Sequence, residues 1–353
     1  MNQGSKREAV MSTAKATLKD VAERAGVSSA TISRALNDPD KVAADTRAKI
    51  NAAILELGYT PNFGARVLAS NRTGTVGAVI PTLSNAIFAS GVQAFQEVLD
   101  ENGITLLIAT TDFDPEKELY QVRQLLAHGA AGLLLVGADR PWTTLDFIEK
   151  HGVPHVLGWC AHADSDQTCV GFDNAAAAYD ATQRVLMQGH RRIAMISGEC
   201  ASNDRAQARL DGVRRAISDH GRGAALLSVT EAKYLLQMGA EAFVTAYSTR
   251  PHPTAIICGN DVLAAGAMIQ AREMGLDIPG DISIVGFDDI GLARAVHPGL
   301  TTVRVPQSEM GRQAAEQLLA KISGETPPPN PELQTEFIMR GTLAPPKQDI
   351  GLR

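Results

Sequence analysis

From Thr75 onward the chain repeats one pattern, a short and almost uninterrupted apolar run followed by a longer amphipathic segment. The runs are TVGAVIP, ITLLIAT, AGLLLVG, VPHVLGW, RRIAMISG, AALLSVT, TAIICGN and ISIVGFD. Apolar runs of this length, without polar alternation, read as strands buried on both faces, and their alternation with helical stretches predicts parallel sheets. About 280 residues carry the pattern. That exceeds the usual single doubly wound sheet, so two α/β subdomains are expected.

The preceding residues have a different texture. Residues 1–16 are polar and aperiodic and read as a loose arm; 17–60 read as a three-helix head; 61–74 read as a linker holding a short helix; and 75–353 form the α/β core. In the head, TLKDVAERAGVSSATISRALN places Val21 and Ala25 on one helical face and Ile32 and Leu36 on another, so both stripes can meet in a small core. Gly26 suits the turn between them, and Ser28 is placed to cap the second helix. Ala30 and Arg34 lie nearly opposite Ile32 and Leu36, flanked by Ser29, Thr31 and Ser33. This small, hydroxylated and basic face suits close approach to base edges and phosphates. The motif alone also fits a plain helical hairpin with a solvated face.

Charge supports the first reading. Residues 1–75 hold 11 Lys/Arg against 7 Asp/Glu and the remainder 22 against 32, so a net +4 precedes a net −10. A basic module on an acidic body fits a phosphate-binding head. No stretch is long and apolar enough for a membrane span and no hydrophobic signal core opens the chain, so a cytoplasmic protein without a membrane partner is expected. Cys160, Cys169, Cys200 and Cys258 show no CxxC spacing, which speaks for buried thiols rather than a metal or redox centre. His151, His155 and His162 are too irregularly spaced for a metal site. With no GxxxxGK[ST], HExxH or GxSxG motif, neither an enzyme nor a cofactor is expected.

TLKDVAERAGVSSATISRALN, VAADTRAKINAAILELGYTPN and ARVLAS, followed by TVGAVIP, VGFDN, GHRRIAMISG, ARLDG, NDVLAAGAM, DISIVGFDDIG and LTTVRVP, resemble the LacI/GalR family of bacterial transcriptional repressors. The resemblance covers nearly the whole chain. It implies a helix-turn-helix head, a hinge helix, and a core of two Rossmann-like parallel-sheet subdomains of the periplasmic-binding-protein type, with a small effector held between them. It further implies that Ser29, Ala30 and Arg34 read bases, that Ser28, Thr31, Ser33 and Asn37 touch the DNA backbone, and that Thr17 and Tyr59 belong to the same surface. Pro61 and Asn62 match the start of the hinge helix. Ala65, Arg66 and Leu68 match its minor-groove side, with Leu68 as the wedge at a central base step. Ala43 departs from the pattern, standing where the family commonly has a capping Ser.

In open α/β sheets, ligands collect at the carboxyl ends of strands, where Asn85, Asp173, Asn260, Asp261 and Asp288 all fall. The resemblance implies a pocket made by Asn85, Ile87 and Phe88, with Trp159 and Phe172 as aromatic walls and Arg209, Asn260 and Asp288 bonding the ligand. Gly158 and Val305 stand where sugar-binding relatives often carry Asp and Gln, whereas Arg205, one helical turn before Arg209, adds positive charge. The implied function is an operator-binding repressor, a homodimer, controlled by a sugar or a sugar acid such as gluconate. A co-repressor-dependent regulator answering to a purine is the alternative. Tetrameric relatives append a leucine heptad helix, whereas LAPPKQDIGLR has no such repeat, so a dimer is expected.

Overall fold

The computed structural model describes residues 16–37, 39–60, 74–161, 167–221, 223–329 and 332–347. The chain separates into two compact units, Met1–Thr73 and Gly74–Arg353.

In the first unit, α1 (Leu18–Ala25), α2 (Ser29–Asn37) and α3 (Ala44–Leu57) surround a core of Val21, Ala22, Ile32, Ala35, Ile50 and Ala53. Thr17 begins α1 with a reciprocal cap: its Oγ1 accepts from the Asp20 amide, while its own amide donates to Asp20 Oδ2 at 2.7 Å. Gly26 closes α1 at φ 68°, a left-handed conformation that a side chain would strain. Ser28 Oγ accepts from the Thr31 amide at 3.1 Å and so starts α2. Two capped helices separated by a left-handed glycine fix a tight turn, and Arg24 pairs with Glu56 at 2.5 Å to fasten α1 to α3. Ala43, at the start of α3, offers no side-chain cap.

The second unit holds two parallel sheets of like topology. The first contains β1 (Thr75–Ile80), β2 (Thr105–Thr110), β3 (Leu133–Val136), β4 (His155–Gly158) and β5 (Cys169–Val170), in the order β2-β1-β3-β4-β5. The second contains β6 (Arg192–Gly198), β7 (Ala225–Ala232), β8 (Ala255–Cys258) and β9 (Ser283–Val285), in the order β7-β6-β8-β9. Helices α4 (Ala86–Glu101), α5 (Pro115–Ala127) and α6 (Trp142–Lys150) connect the first set; α7 (Asn174–Met187) leads into the second, which α8 (Asp204–His220), α9 (Leu236–Tyr247) and α10 (Asp261–Glu273) connect. Every apolar run named above contains a strand. β2 and β7 are less buried than a run of their composition suggests, with Ile108 exposed, because each is the edge of its sheet.

Three segments cross between the sheets. The chain leaves β5 through Gly171–Asp173 into α7, and returns after the short helix α11 (Gly291–Ala295) and β10 (Thr302–Arg304) to α12 (Gln307–Ser323), which packs on α4. It then crosses a third time: the Leu333 amide donates to Gly171 O, β11 (Glu336–Ile338) pairs antiparallel with β10, and Thr342 joins the second sheet through Ile284. Buried His190 anchors that last segment by donating from Nε2 to Ala344 O at 2.9 Å and accepting from Thr254 at Nδ1. Burial pushes its imidazole down to about 4, which keeps it neutral at pH 7. Asp289, four residues past the end of β9, holds Arg304 at 2.9 Å and Arg340 at 2.5 Å.

The α4–α12 contact depends on two glycines. A Cβ on Gly311 would collide with the carbonyl oxygen of Gly91, and one on Gly91 with the indole of Trp159. Backbone therefore meets backbone at this crossing, and Trp159 is seated against it. Gly311→Ala is expected to destabilise the core by about 1–3 kcal/mol, the usual cost of overpacking. Thermal denaturation checks this, and an unchanged melting temperature would contradict it.

Candidate functional site

Two surfaces carry the residues singled out from the sequence. On the head, Ser28, Ser29, Ala30 and Arg34 are exposed, Thr31 and Ser33 half-buried, and Ile32 fully buried. The turn begins a helix whose outer face is small, hydroxylated and basic, with its apolar side committed to the head core. Thr17 is half-occupied by its capping role, Tyr59 packs partly against the head core, and Asn37 ends α2. Pro61, Asn62, Ala65, Arg66 and Leu68 lie outside the described residues.

In the second unit, a crevice of about 320 Å³, part of it at the open mouth, is lined by Asn85, Ile87, Phe88, Trp159, Arg205, Arg209, Asn260 and Asp288, joined by Phe113, Asn203 and Tyr234. Three of these are helix caps at the carboxyl ends of strands. Asn85 Oδ1 accepts from the Ile87 amide to start α4, Asn203 Oδ1 from Ala206 to start α8, and Asn260 Oδ1 from Leu263 to start α10. The positive ends of three helices therefore converge on one space, which favours electron-rich ligand oxygens. The cap consumes only the amide oxygen, and Asn260 Nδ2 is buried without a hydrogen-bond partner.

Arg209 organises the floor. Its Nε donates to Asn174 Oδ1 at 2.8 Å, its Nη1 to Gly259 O at 2.6 Å, and its Nη2 lies 3.7 Å from Asp288 Oδ1. The guanidinium stacks on Phe287, 3.9 Å from the ring centre. Asn174 Nδ2 in turn donates to Trp159 O at 3.2 Å, linking the arginine on one subdomain to the aromatic wall on the other. Trp159 meets Phe88 edge-on, with ring centres 5.5 Å apart. Trp159, Phe113 and Asp288 all have positive φ, at 62°, 63° and 111°, a conformation costly for side-chain-bearing residues and often concentrated where groups must be aimed.

Phe172 is not on the crevice wall. It is buried one layer behind, stacked on Phe287, while Phe113 and Tyr234 supply the additional aromatic surface. Asp173 and Asp261 also stand apart from the lining: Asp173 caps α7, and buried Asp261 accepts from Thr302 Oγ1 and the Ile290 amide. Arg205 does face the crevice and is almost fully buried, but its Nη1 is paired with Asp204 at 2.6 Å, so its charge is counterbalanced. Asp204 Oδ2 also accepts from the Ala138 amide at 2.7 Å, holding α8 to the loop after β3. Of the residues that sequence reasoning missed, Asn203 had a visible signal, an Asn ahead of a helical run. Phe113 and Tyr234 lie in loops and had none.

Burial pushes the Asp288 carboxyl up to about 7, with Arg209 opposing the shift. Its Oδ1, like Trp159 Nε1 and Asn260 Nδ2, is buried without a hydrogen-bond partner. Two donors and one acceptor thus remain unsatisfied around an aromatic crevice, an arrangement matched to a ligand that both accepts and donates hydrogen bonds. Among the described residues no group of three His, Cys, Asp or Glu is placed to hold a metal, and no helix is long and apolar enough to cross a membrane.

Residues 17–62 match the model of bacterial regulatory proteins, lacI family, and residues 182–343 that of a periplasmic binding protein-like domain. The chain is 35% identical to the HTH-type transcriptional regulator GntR of Pseudomonas aeruginosa, over 89% of its own length and 91% of the relative. It is likewise 35% identical to the HTH-type transcriptional regulator GalR of Escherichia coli, over 91% and 93%. The crystal structure of the lac repressor dimer bound to operator and the anti-inducer ONPF superimposes with a TM-score of 0.81 at 27% identity, covering 94% of this chain and all of that one.

The raised Asp288 carboxyl gives a pH-dependent expectation. Below about pH 4 the group is protonated whether the chain is folded or not; between about 4 and 7 the unfolded chain releases a proton that the folded chain retains. Stability contributed by this residue therefore falls as pH rises through that window. Asp288→Asn is expected to be more stable than the parent at pH 8, by on the order of 2–4 kcal/mol, with the difference vanishing towards pH 4. Thermal denaturation at the two pH values checks this, and a variant less stable than the parent at pH 8 would contradict it.

Proposed function

The chain belongs to the lacI family of bacterial regulatory proteins and is a DNA-binding transcriptional regulator, and we propose that it is a dimeric repressor whose operator affinity is set by a polyhydroxylated small molecule, a sugar or a sugar acid such as gluconate. The observation that carries the ligand class is the unsatisfied set of Trp159 Nε1, Asn260 Nδ2 and Asp288 Oδ1 beside aromatic rings. Hydroxyl groups satisfy donors and acceptors alike, and the C–H face of a sugar packs on Phe88, Trp159 or Phe113. The acid reading rests on three helix N-termini and two arginines at the crevice. Asp204 weakens it by pairing with Arg205, which leaves Arg209 as the arginine aimed at Asp288.

Base reading is assigned to Ser29, Ala30 and Arg34, and phosphate or sugar contacts to Ser28, Thr31, Ser33 and Asn37, with Thr17 and Tyr59 beside them. In the linker, Asn62 is assigned to the DNA-contacting start of the hinge helix and Ala65, Arg66 and Leu68 to the minor groove, with Leu68 as the wedge. This gives the paired heads of a dimer a near-palindromic operator. The lac repressor structure, a dimer on its operator, supports that arrangement. Effector occupancy alters the relation between the two subdomains, whose crossing segments converge near Gly171, Asp288 and Leu333, and only a difference in effector affinity between the two states can shift operator binding.

Calorimetry with D-gluconate, D-galactose and guanine tests the ligand class. A sugar or sugar acid is expected to bind, and to bind at least ten-fold more weakly to Asp288→Asn; tight binding of guanine alone would overturn the reading. On the DNA side, Arg34→Ala is expected to cost about 1–3 kcal/mol on a selected operator and to relax discrimination at one base pair per half-site. Undiminished discrimination in a mobility-shift series would contradict the assignment.

A further inference from the structure

The spacing of the four cysteines gives no hint of a pair, yet the sulfur atoms of Cys160 and Cys169 lie 3.2 Å apart. Backbone geometry brings them together. β4 and β5 run parallel, with Leu157 opposite Cys169 and Gly158 opposite Val170, and are locked by Leu157 N donating to Thr168 O and Trp159 N to Val170 O, each at 2.9 Å. Trp159, at φ 62°, then turns the chain out of the strand direction, so that Cys160 reaches Cys169 rather than the next residue of the ladder. Gly171 packs directly on the Cys160 backbone, where a side chain would collide with its amide, and this holds the turn in place.

The two sulfurs have unequal surroundings. Cys160 is buried and donates its S–H to Cys169, which is half-buried. The hydrogen bond from Cys160, followed by the charges of Arg140 and Lys321, holds the Cys169 thiol below its usual range, against burial and Asp204. The same hydrogen bond and then burial push Cys160 up. A partly exposed thiol in a cationic setting, backed by a second thiol in contact, has the arrangement of an attacking and a resolving cysteine.

We propose that Cys160 and Cys169 form an oxidisable dithiol, a modification site at which a hydroperoxide makes a reversible disulfide beside the crevice. The Cys169 sulfur attacks the terminal peroxide oxygen; an S–O bond forms, the O–O bond breaks, and the leaving alkoxide takes a proton to become an alcohol. The Cys160 sulfur then attacks the Cys169 sulfur; an S–S bond forms, the S–O bond breaks, and hydroxide departs with the Cys160 proton as water. Two thiols lose two electrons and two hydrogens, and the peroxide is reduced to alcohol and water. From 3.2 Å the sulfurs must close by about 1 Å to bonding distance. That movement is applied next to Trp159, whose indole lines the crevice and whose carbonyl accepts from Asn174. Oxidation therefore reshapes the aromatic wall.

Trypsin leaves both cysteines on one peptide, residues 151–184, because no Lys or Arg lies between Lys150 and Arg184. The full-length protein is treated with hydrogen peroxide, alkylated with iodoacetamide, digested and weighed. The expected peptide has lost two hydrogens, carries no alkyl group, and regains two alkylation sites after dithiothreitol. In Cys160→Ser, dimedone is expected to trap a sulfenic acid at Cys169; in Cys169→Ser, neither product forms. In Trp142→Phe, which leaves Trp159 as the sole tryptophan, emission is expected to shift on oxidation and to recover on reduction. Persistent alkylation of both thiols under excess peroxide, irreversible oxidation of Cys169 with Cys160 still alkylated, or pairing of either with Cys200 or Cys258 would overturn the dithiol. Unchanged Trp159 emission in the oxidised protein would overturn its link to the crevice.

Discussion

The buried guanidinium of Arg209 is the interaction on which the crevice depends. It contacts the second sheet through Gly259 O, the stacked pair Phe287 and Phe172 through its face, the carboxyl of Asp288 at its tip, and, by way of Asn174, the backbone of Trp159 on the other subdomain. A cation so placed must have its donors met, and here each partner belongs to a different part of the core. Asp288 answers it only in part: the 3.7 Å separation is too long for a hydrogen bond, and burial keeps the carboxyl near the midpoint of its titration at neutral pH. A ligand that bonds Asp288 therefore acts on the same charge that ties the two subdomains together.

The crossing segments give that link mechanical reach. Asp288 lies beside β10, where its amide donates to Val303 O, and Asp289 next to it gathers Arg304 and Arg340 from the second and third crossings. Asp204 holds the start of α8 to the loop after β3 while pairing with Arg205 in the crevice. The residues that line the crevice are thus bonded to those that join the subdomains, which is the physical requirement for occupancy to bias one arrangement over another.

Much of this was legible in the sequence, for identifiable reasons. Eight apolar runs became strands because an uninterrupted apolar run of strand length has no helical spacing, even where, as in β2 and β7, it lies at an edge and is only partly buried, and the head turn was legible because Gly26 and Ser28 are the residue types a left-handed cap and a helix start require. β5, β10 and β11 are two or three residues long, too short to carry a pattern of their own in the sequence, and β10 and β11 exist only by pairing with each other across more than thirty residues. Asn85 and Asn260 stood out as polar residues at strand ends, and they serve as caps while lining the crevice. Phe172 shows the limit of such reading, since sequence does not tell which side of a crossing segment faces the cavity. The Cys160–Cys169 contact was invisible for a related reason: it depends on the backbone turn at Trp159, which no spacing rule anticipates.

The central claim is that crevice and operator are coupled, and coupling of binding free energies must be reciprocal. The most direct test is to measure gluconate affinity by calorimetry for the protein alone and for the protein saturated with a palindromic duplex selected from a random pool, and to measure duplex affinity with and without saturating gluconate. The expected result is one common factor in both directions, on the order of 5–150-fold. Gluconate affinity unchanged by DNA, with duplex affinity unchanged by gluconate, would contradict the account.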